Sequence, residues 1–244
     1  VLAVALLVAT VRRTVGSSAA GLLAGATLAL TPVAVLMFRF NNPDALLVLL
    51  LVAAAYATLR AVERGSGRWF ALVGVFLGLA FLTKTLQAFL VLPVYGLVYL
   101  YAAPISWAKR LQHSALALAA MIVSGGWWVA IVEFMPASAR PYIGGSQTNS
   151  FWDLTFGYNG FGRINGNETG SVGGGNGWGT PGIFRMLQGA SGGGVSWFLP
   201  TSLIFLVVGI WAAGRRPRTD PLRAAYLVWG GWTIVTTLTF SFMA

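Results

Sequence analysis

Residues 16–59 carry two apolar runs, GSSAAGLLAGATLALTPVAVLMF (Gly16–Phe38) and ALLVLLLVAAAYATL (Ala45–Leu59). The turn Arg39-Phe40-Asn41-Asn42-Pro43-Asp44 joins them. A helix needs about 20 apolar residues to cross a bilayer, and the first run meets that length. The turn puts two opposite charges, two amides and a proline into six positions, in a chain with six acidic residues in all. Such a turn at the end of a span is either a solvated connector or part of a site.

Composition points the same way as the runs. The chain is 57% hydrophobic and 9% charged, against about 25% charged in an ordinary soluble domain. This is the composition of an integral membrane protein. Cysteine is absent, so disulfides and thiolate metal sites are excluded. One histidine, His113, makes a zinc site a poor fit. The net charge of +10 is better explained by basic loops facing anionic lipid than by nucleic acid.

Taken in order, the expected spans are Val1–Val11, Gly16–Phe38, Ala45–Leu59, Trp69–Thr83, Leu86–Ala103, Leu116–Val132, Ser196–Ala213 and Ala224–Ala244. The fold expected is therefore all-α: a polytopic transmembrane helical bundle of seven to eight spans or part-spans. Residues 1–132 form its first helices, 133–195 a long loop and 196–244 the last helices. Both ends of the chain fall inside apolar runs, so it reads as a piece of a larger polytopic protein. Val1–Val11 lacks the charged start and cleavage site of a signal peptide.

Orientation follows from alternate loops. One set holds Arg12, Arg13, Arg60, Arg64, Arg68, Lys109, Arg110, Arg215, Arg216, Arg218 and Arg223, and the other holds Arg39, Lys84, Arg140, Arg163 and Arg185. The richer set is expected in the cytoplasm of a multi-pass plasma-membrane protein. The turn 39–44, Lys84 and the loop 133–195 are then expected outside. From Gly144 to Gly194 that loop has seventeen of the chain's 31 glycines. Ordering so many costs backbone entropy. Its aromatic stretch Phe151–Ile164 is suited to pack on the membrane surface or on a substrate, and Thr180–Ala190 reads as a short interfacial helix with Pro181 in its first turn.

Two residues stand out, each with a plainer alternative. Asp44 can cap a helix, accepting free amides at the positive end of its dipole, or stand as a carboxylate at the lip of an outward cavity. Lys84, in Phe81-Leu82-Thr83-Lys84-Thr85, has apolar flanks. It can snorkel to headgroups, or serve as a point charge for a phosphate or a partner for Asp44. Consecutive antiparallel spans bring Asp44 and Lys84 out at one face, which strengthens the functional reading of both. Arg163 and Glu168 are loop charges of the kind usually solvated, and Asn167-Glu168-Thr169 matches a short glycosylation pattern. Gly177–Gly182 matches G-x-G-x-x-G, but no strand precedes it and a proline interrupts it, so it is rejected as a dinucleotide site. Glycines and alanines in the spans read as helix-packing positions. No span carries an acid at its middle, which argues against an ion-driven transporter.

Several stretches together resemble glycosyltransferase family 39, the bacterial relatives of protein O-mannosyltransferases and of the transferases that place 4-amino-4-deoxy-L-arabinose on lipid A. They are Thr31-Pro32-Val33 through Arg39–Asp44 to Leu47, Gly78-Leu79-Ala80-Phe81-Leu82-Thr83-Lys84, and Tyr158-Asn159-Gly160-Phe161-Gly162-Arg163 with the glycine-rich loop and Ser196-Trp197-Phe198-Leu199-Pro200. The last group is similar to actinobacterial members. The resemblance implies a GT-C fold and a hexosyl- or pentosyltransferase. Such an enzyme moves a sugar from a polyprenyl-phosphate donor to a lipid, glycan or protein hydroxyl at the outer face.

In that family the main catalytic acid lies in the first outer loop, which the resemblance places before this chain, so the chain alone is expected to be inactive. Asp44 would be a secondary carboxylate that orients the acceptor or helps hold a divalent cation. Lys84 and Arg163 would be phosphate-side cations, with Arg39 and Asn42 in the same substrate-binding turn. A transporter or flippase of lipid-linked sugars and a membrane scaffold with a binding loop are the alternatives. An outward cavity lined with charges would serve a flippase equally well.

Overall fold

A computed structural model describes residues 1–162 and 180–243. Its helices are α1 (Leu2–Val15), α2 (Ser18–Leu30), α3 (Pro32–Met37), α4 (Asp44–Arg64), α5 (Gly67–Lys84), α6 (Leu92–Ala102), α7 (Trp107–Phe134), α8 (Gly189–Gly194), α9 (Leu199–Gly214) and α10 (Pro221–Phe242). A 3₁₀ segment, Thr85–Val91, joins α5 to α6, and a π-helical segment spans Asp153–Phe161. No strand occurs among the described residues. The protein is an all-α helical bundle. Three helical runs are long and apolar enough to cross a membrane: Asp44–Arg64, Gly67–Ala102 and Trp107–Phe134.

Two apolar runs depart from the expected single spans. Gly16–Phe38 breaks at Thr31, whose ψ of 120° is extended, because Pro32 lacks the amide that would continue α2 and instead starts α3. The second departure follows Lys84. Thr85 takes φ 44° and ψ −132°, which stops the α-helix and starts the 3₁₀ segment. Helix α7 begins nine residues before the expected Leu116, so Lys109, Arg110 and His113 are on it. Thr180 and Pro181 are not helical. The chain there is held by a bond from the Gly182 amide to the Ser241 carbonyl (2.8 Å), and helical turns begin only at Arg185.

The core lies among α4, α5, α6, α7 and α10, with Leu47, Leu51, Phe70, Leu77, Tyr95, Tyr99 and Val228 buried. The tightest contact is α5 on α7. A Cβ on Gly74 would lie 1.9 Å from the Ala117 carbonyl oxygen, and one on Gly78 would lie 2.1 Å from Ser124 Oγ. The helices approach this closely only because those side chains are hydrogens, as small-residue seams in membrane bundles require. Ser124 Oγ completes the seam by donating to the Val75 carbonyl at 3.2 Å.

The charged loops gather at opposite ends of the bundle. At one, Arg13 at the end of α1 meets Glu63 at the end of α4 (3.0 Å), and Arg218 after α9 donates to the Tyr101 carbonyl (3.0 Å). His113 shares a hydrogen bond between Nδ1 and the Tyr99 hydroxyl at 2.6 Å. The other end holds Asp44, Lys84, Glu133 and Arg140.

Candidate active site

Helix α4 starts at Asp44, and Pro43 stands at its N-cap without a side-chain cap bond. Asn42 does the local work: its Oδ1 accepts the Asp44 amide at 2.7 Å. The capping alternative for Asp44 is therefore not what the backbone uses. Its carboxylate points away from the amides and accepts from Lys84 Nζ, forty residues on in the sequence. Position in the first turn still lets the helix dipole favour the charge.

Lys84 is the last residue of α5, and its Nζ reaches the Asp44 carboxylate. Its side chain is 30% exposed and that of Asp44 21%, so the pair is half-sheltered but reachable from solution. Thr85 beside it is β-branched with positive φ, a conformation that costs about 1–3 kcal/mol and concentrates at functional sites. The aromatic rings Phe81, Phe89 and Phe151 pack together, Phe81 one helical turn before Lys84. Phe81 stacks on Phe89 at 5.2 Å and meets Phe151 edge-on at 5.9 Å. Phe151 therefore packs on the protein itself, while Trp152 and Phe156 stack on each other at 5.6 Å and stay exposed.

Arg39 is exposed and makes no ion pair or side-chain hydrogen bond among the described residues. It lines a separate apolar cavity of about 440 Å³ with Val4, Leu28, Ala34 and Phe38. The structure thus joins Asp44, Asn42 and Lys84 and leaves Arg39 apart. Arg163, Glu168 and Gly170–Gly179 lie outside the described residues. Asp44 faces a cation, and no three His, Asp or Glu side chains cluster among the described residues.

Three charged residues escaped the sequence reading as organisers. Glu133 Oε1 accepts from Ser150 Oγ (2.9 Å) and the Phe151 amide (2.7 Å), while Arg140 reaches Oε2 at 3.4 Å. Asp153 accepts the amides of Gln147 (2.7 Å) and Thr148 (3.2 Å). These amides, followed by the Ser146 and Thr148 hydroxyls, hold its carboxyl below the usual carboxylate range. Arg185 is buried and caps the end of α10, donating to the Phe240 and Met243 carbonyls. One signal was available: Ser150-Phe151-Trp152-Asp153 has the S-x-x-D form of a helix start.

The sequence profile of the family described as "Dolichyl-phosphate-mannose-protein mannosyltransferase" matches residues 1–128, which include both Asp44 and Lys84. The chain belongs to this family. Two Bacillus subtilis (strain 168) proteins are similar to it. "Putative mannosyltransferase YkcB" is 41% identical over 160 residues, covering 66% of this chain and 22% of the relative. "Putative mannosyltransferase YycA" is 31% identical over 317 aligned residues, covering 97% of this chain and 46% of the relative. The chain thus spans less than half the length of either relative. No solved structure is significantly similar to it. Within the mannosyltransferase family profile fall the broken helix at Pro32, the Asn42–Asp44 turn and the α5–α7 seam.

Proposed function

We propose that the protein is a membrane glycosyltransferase that moves a sugar from a polyprenyl-phosphate donor to an acceptor hydroxyl at the outer face. The observation that carries this reading is the Asp44–Lys84 ion pair beside the strained Thr85, at the end of the bundle opposite the arginine clusters. Counting of basic residues makes the arginine end cytoplasmic and the Asp44–Lys84 end external. Membership of the mannosyltransferase family supports the reaction class.

The chemistry needs a cation where phosphate charge develops and a carboxylate to take or orient the acceptor proton. Lys84 and Asp44 supply one each, and in the structure they satisfy one another. An arriving donor phosphate competes for Lys84. As Lys84 turns to it, the Asp44 carboxylate is released to orient the acceptor hydroxyl. The two halves of the site are thereby made ready by the same binding event. Asn42 keeps Asp44 at the mouth by fixing the first amide of α4.

In the full-length protein in detergent, Lys84→Ala and Asp44→Asn should each lower sugar transfer by about 100- to 1,000-fold, the size seen when one transition-state partner is removed. Wild-type transfer rates in both variants would overturn the assignment. Turnover without sealed vesicles or a gradient separates a transferase from a flippase of lipid-linked sugars, which would show movement across the membrane and no transfer.

A further inference from the structure

The chain leaves α7 one residue after Glu133 and comes back to it seventeen residues later. Besides Ser150 Oγ and the Phe151 amide, Glu133 Oε1 receives the Trp152 amide at 3.4 Å. These are opening amides of the helical segment that runs on through Phe161, and no earlier turn exists to satisfy them. A carboxylate there answers the free N–H groups and the positive end of the segment's dipole. Arg140 closes the connection from the other side. It donates from Nη2 to the Glu133 carbonyl (2.8 Å) and from Nε to the Met135 carbonyl (3.1 Å).

The held segment covers the residues around Lys84. Its first ring, Phe151, meets Phe81, one helical turn before Lys84. Near its end Gly160 lies against Leu86, two residues after Lys84, where an added Cβ would stand 3.0 Å from Leu86 Cδ1. Lys84 is therefore bracketed on both sides by contacts to a segment whose start depends on Glu133. Glu133 touches neither Asp44 nor Lys84.

We infer that Glu133 is a positioning residue of the Asp44–Lys84 site: by anchoring the start of the 151–161 segment, it builds the wall against which Lys84 receives a phosphate. This rests on the transferase reading above. Sites of this kind need a fixed supporting shell, because a displacement of about 1 Å can cost about 100-fold in rate. Glutamine at 133 keeps an acceptor oxygen for the Ser150 and Phe151 donors, whereas alanine removes it. The two variants therefore separate the anchor from the charge.

The test compares Glu133→Ala and Glu133→Gln with wild type in the full-length protein in detergent. Amide hydrogen exchange over residues 150–156 reports the anchor, and sugar transfer at saturating polyprenyl-phosphate donor reports the site. Glu133→Ala should exchange at least about 10-fold faster and transfer about 10- to 100-fold more slowly. Glu133→Gln should recover most of both. Faster exchange with unchanged transfer in Glu133→Ala would make Glu133 a loop anchor only and overturn the inference. Slower transfer with unchanged exchange would overturn it as well. If the wild-type protein transfers no sugar, the transferase reading fails, and binding of sugar-free polyprenyl phosphate decides the inference. Affinity lost in Glu133→Ala and kept in Glu133→Gln upholds it, and equal affinity in both overturns it.

Discussion

Where α1, α4 and α9 end, arginine side chains reach backbone carbonyls and aromatic rings, and Arg13 and Arg60 share the Glu63 carboxylate. Arg110 donates to the Ile105 and Leu100 carbonyls and lies 4.8 Å from the Trp107 ring centre, and Arg223 donates to the Arg216 carbonyl over the Tyr101 ring. At the opposite end Glu133 and Asp153 hold amides and Arg140 and Arg185 hold carbonyls, while Asp44 and Lys84 join two side chains with no backbone group between them. A cation on carbonyls satisfies helix ends that would otherwise be left without donors. A pair of side chains that bond only each other satisfies nothing else, so a substrate can part it cheaply. Arg110 on its carbonyls suits a structural role, and the Asp44–Lys84 pair suits the working role proposed for it.

The comparison assumes that both ends sit on one rigid frame, and the α5–α7 seam is that frame. Gly74→Leu should be the most damaging single change. Its Cβ would collide with the Ala117 backbone, which cannot yield as a flexible side chain would. We expect a loss of at least about 3 kcal/mol, the upper part of the overpacking range, seen as a collapsed melting temperature and a dispersed gel-filtration profile. A wild-type melt would mean that α5 and α7 are not in contact, and the contrast between the ends would lose its footing.

The contrast itself is sharpened by two matched substitutions. Arg110→Met leaves two carbonyls without donors in a side chain only 1% exposed, at about 1–3 kcal/mol each. A combined loss of about 2–6 kcal/mol is expected by thermal or denaturant unfolding. Lys84→Met keeps the apolar stem and leaves Asp44 in reach of water, so stability should change by about 1 kcal/mol or less while sugar transfer collapses. If Lys84→Met proved as destabilising as Arg110→Met, the Asp44–Lys84 pair would be a structural strut.

Much of this arrangement is legible in the sequence, for physical reasons that also mark where legibility stops. Runs of apolar residues expose the helices because lipid demands them. The Asp44–Lys84 juxtaposition follows from two consecutive antiparallel helices of similar length. The break after Lys84 is not readable, since it rests on a positive φ at a threonine that no local rule favours. Arg39 looks equivalent to Asn42 in the turn, yet the short α3 helix aims it at a different space. Glu133 is hidden for another reason: its partners lie seventeen to nineteen residues away and are mostly backbone amides. Any residue can supply an amide, so the sequence carries no mark of the bond.

The smallest expected effect concerns Asp153, the second carboxylate that shapes the loop. The Gln147 and Thr148 amides hold its carboxyl below the ordinary range, so folding favours the ionised form. A group with a lowered folded value contributes its full share above its unfolded value of about 3.9 and loses it as pH falls through the lower folded one. The loop should therefore be indifferent to pH from neutral down to about 5 and loosen only below about 3.9. A nitroxide on Tyr142→Cys, an exposed site in a chain with no native cysteine, would report this as a mobile line shape appearing only in strong acid. Asp153→Asn keeps the one acceptor oxygen that the four donors share and loses the charge, so the acid transition should disappear. A wild-type midpoint at or above the ordinary carboxylate value would mean that the amides do not hold the charge. Carboxylate control would then belong to Glu133 and Asp44 alone.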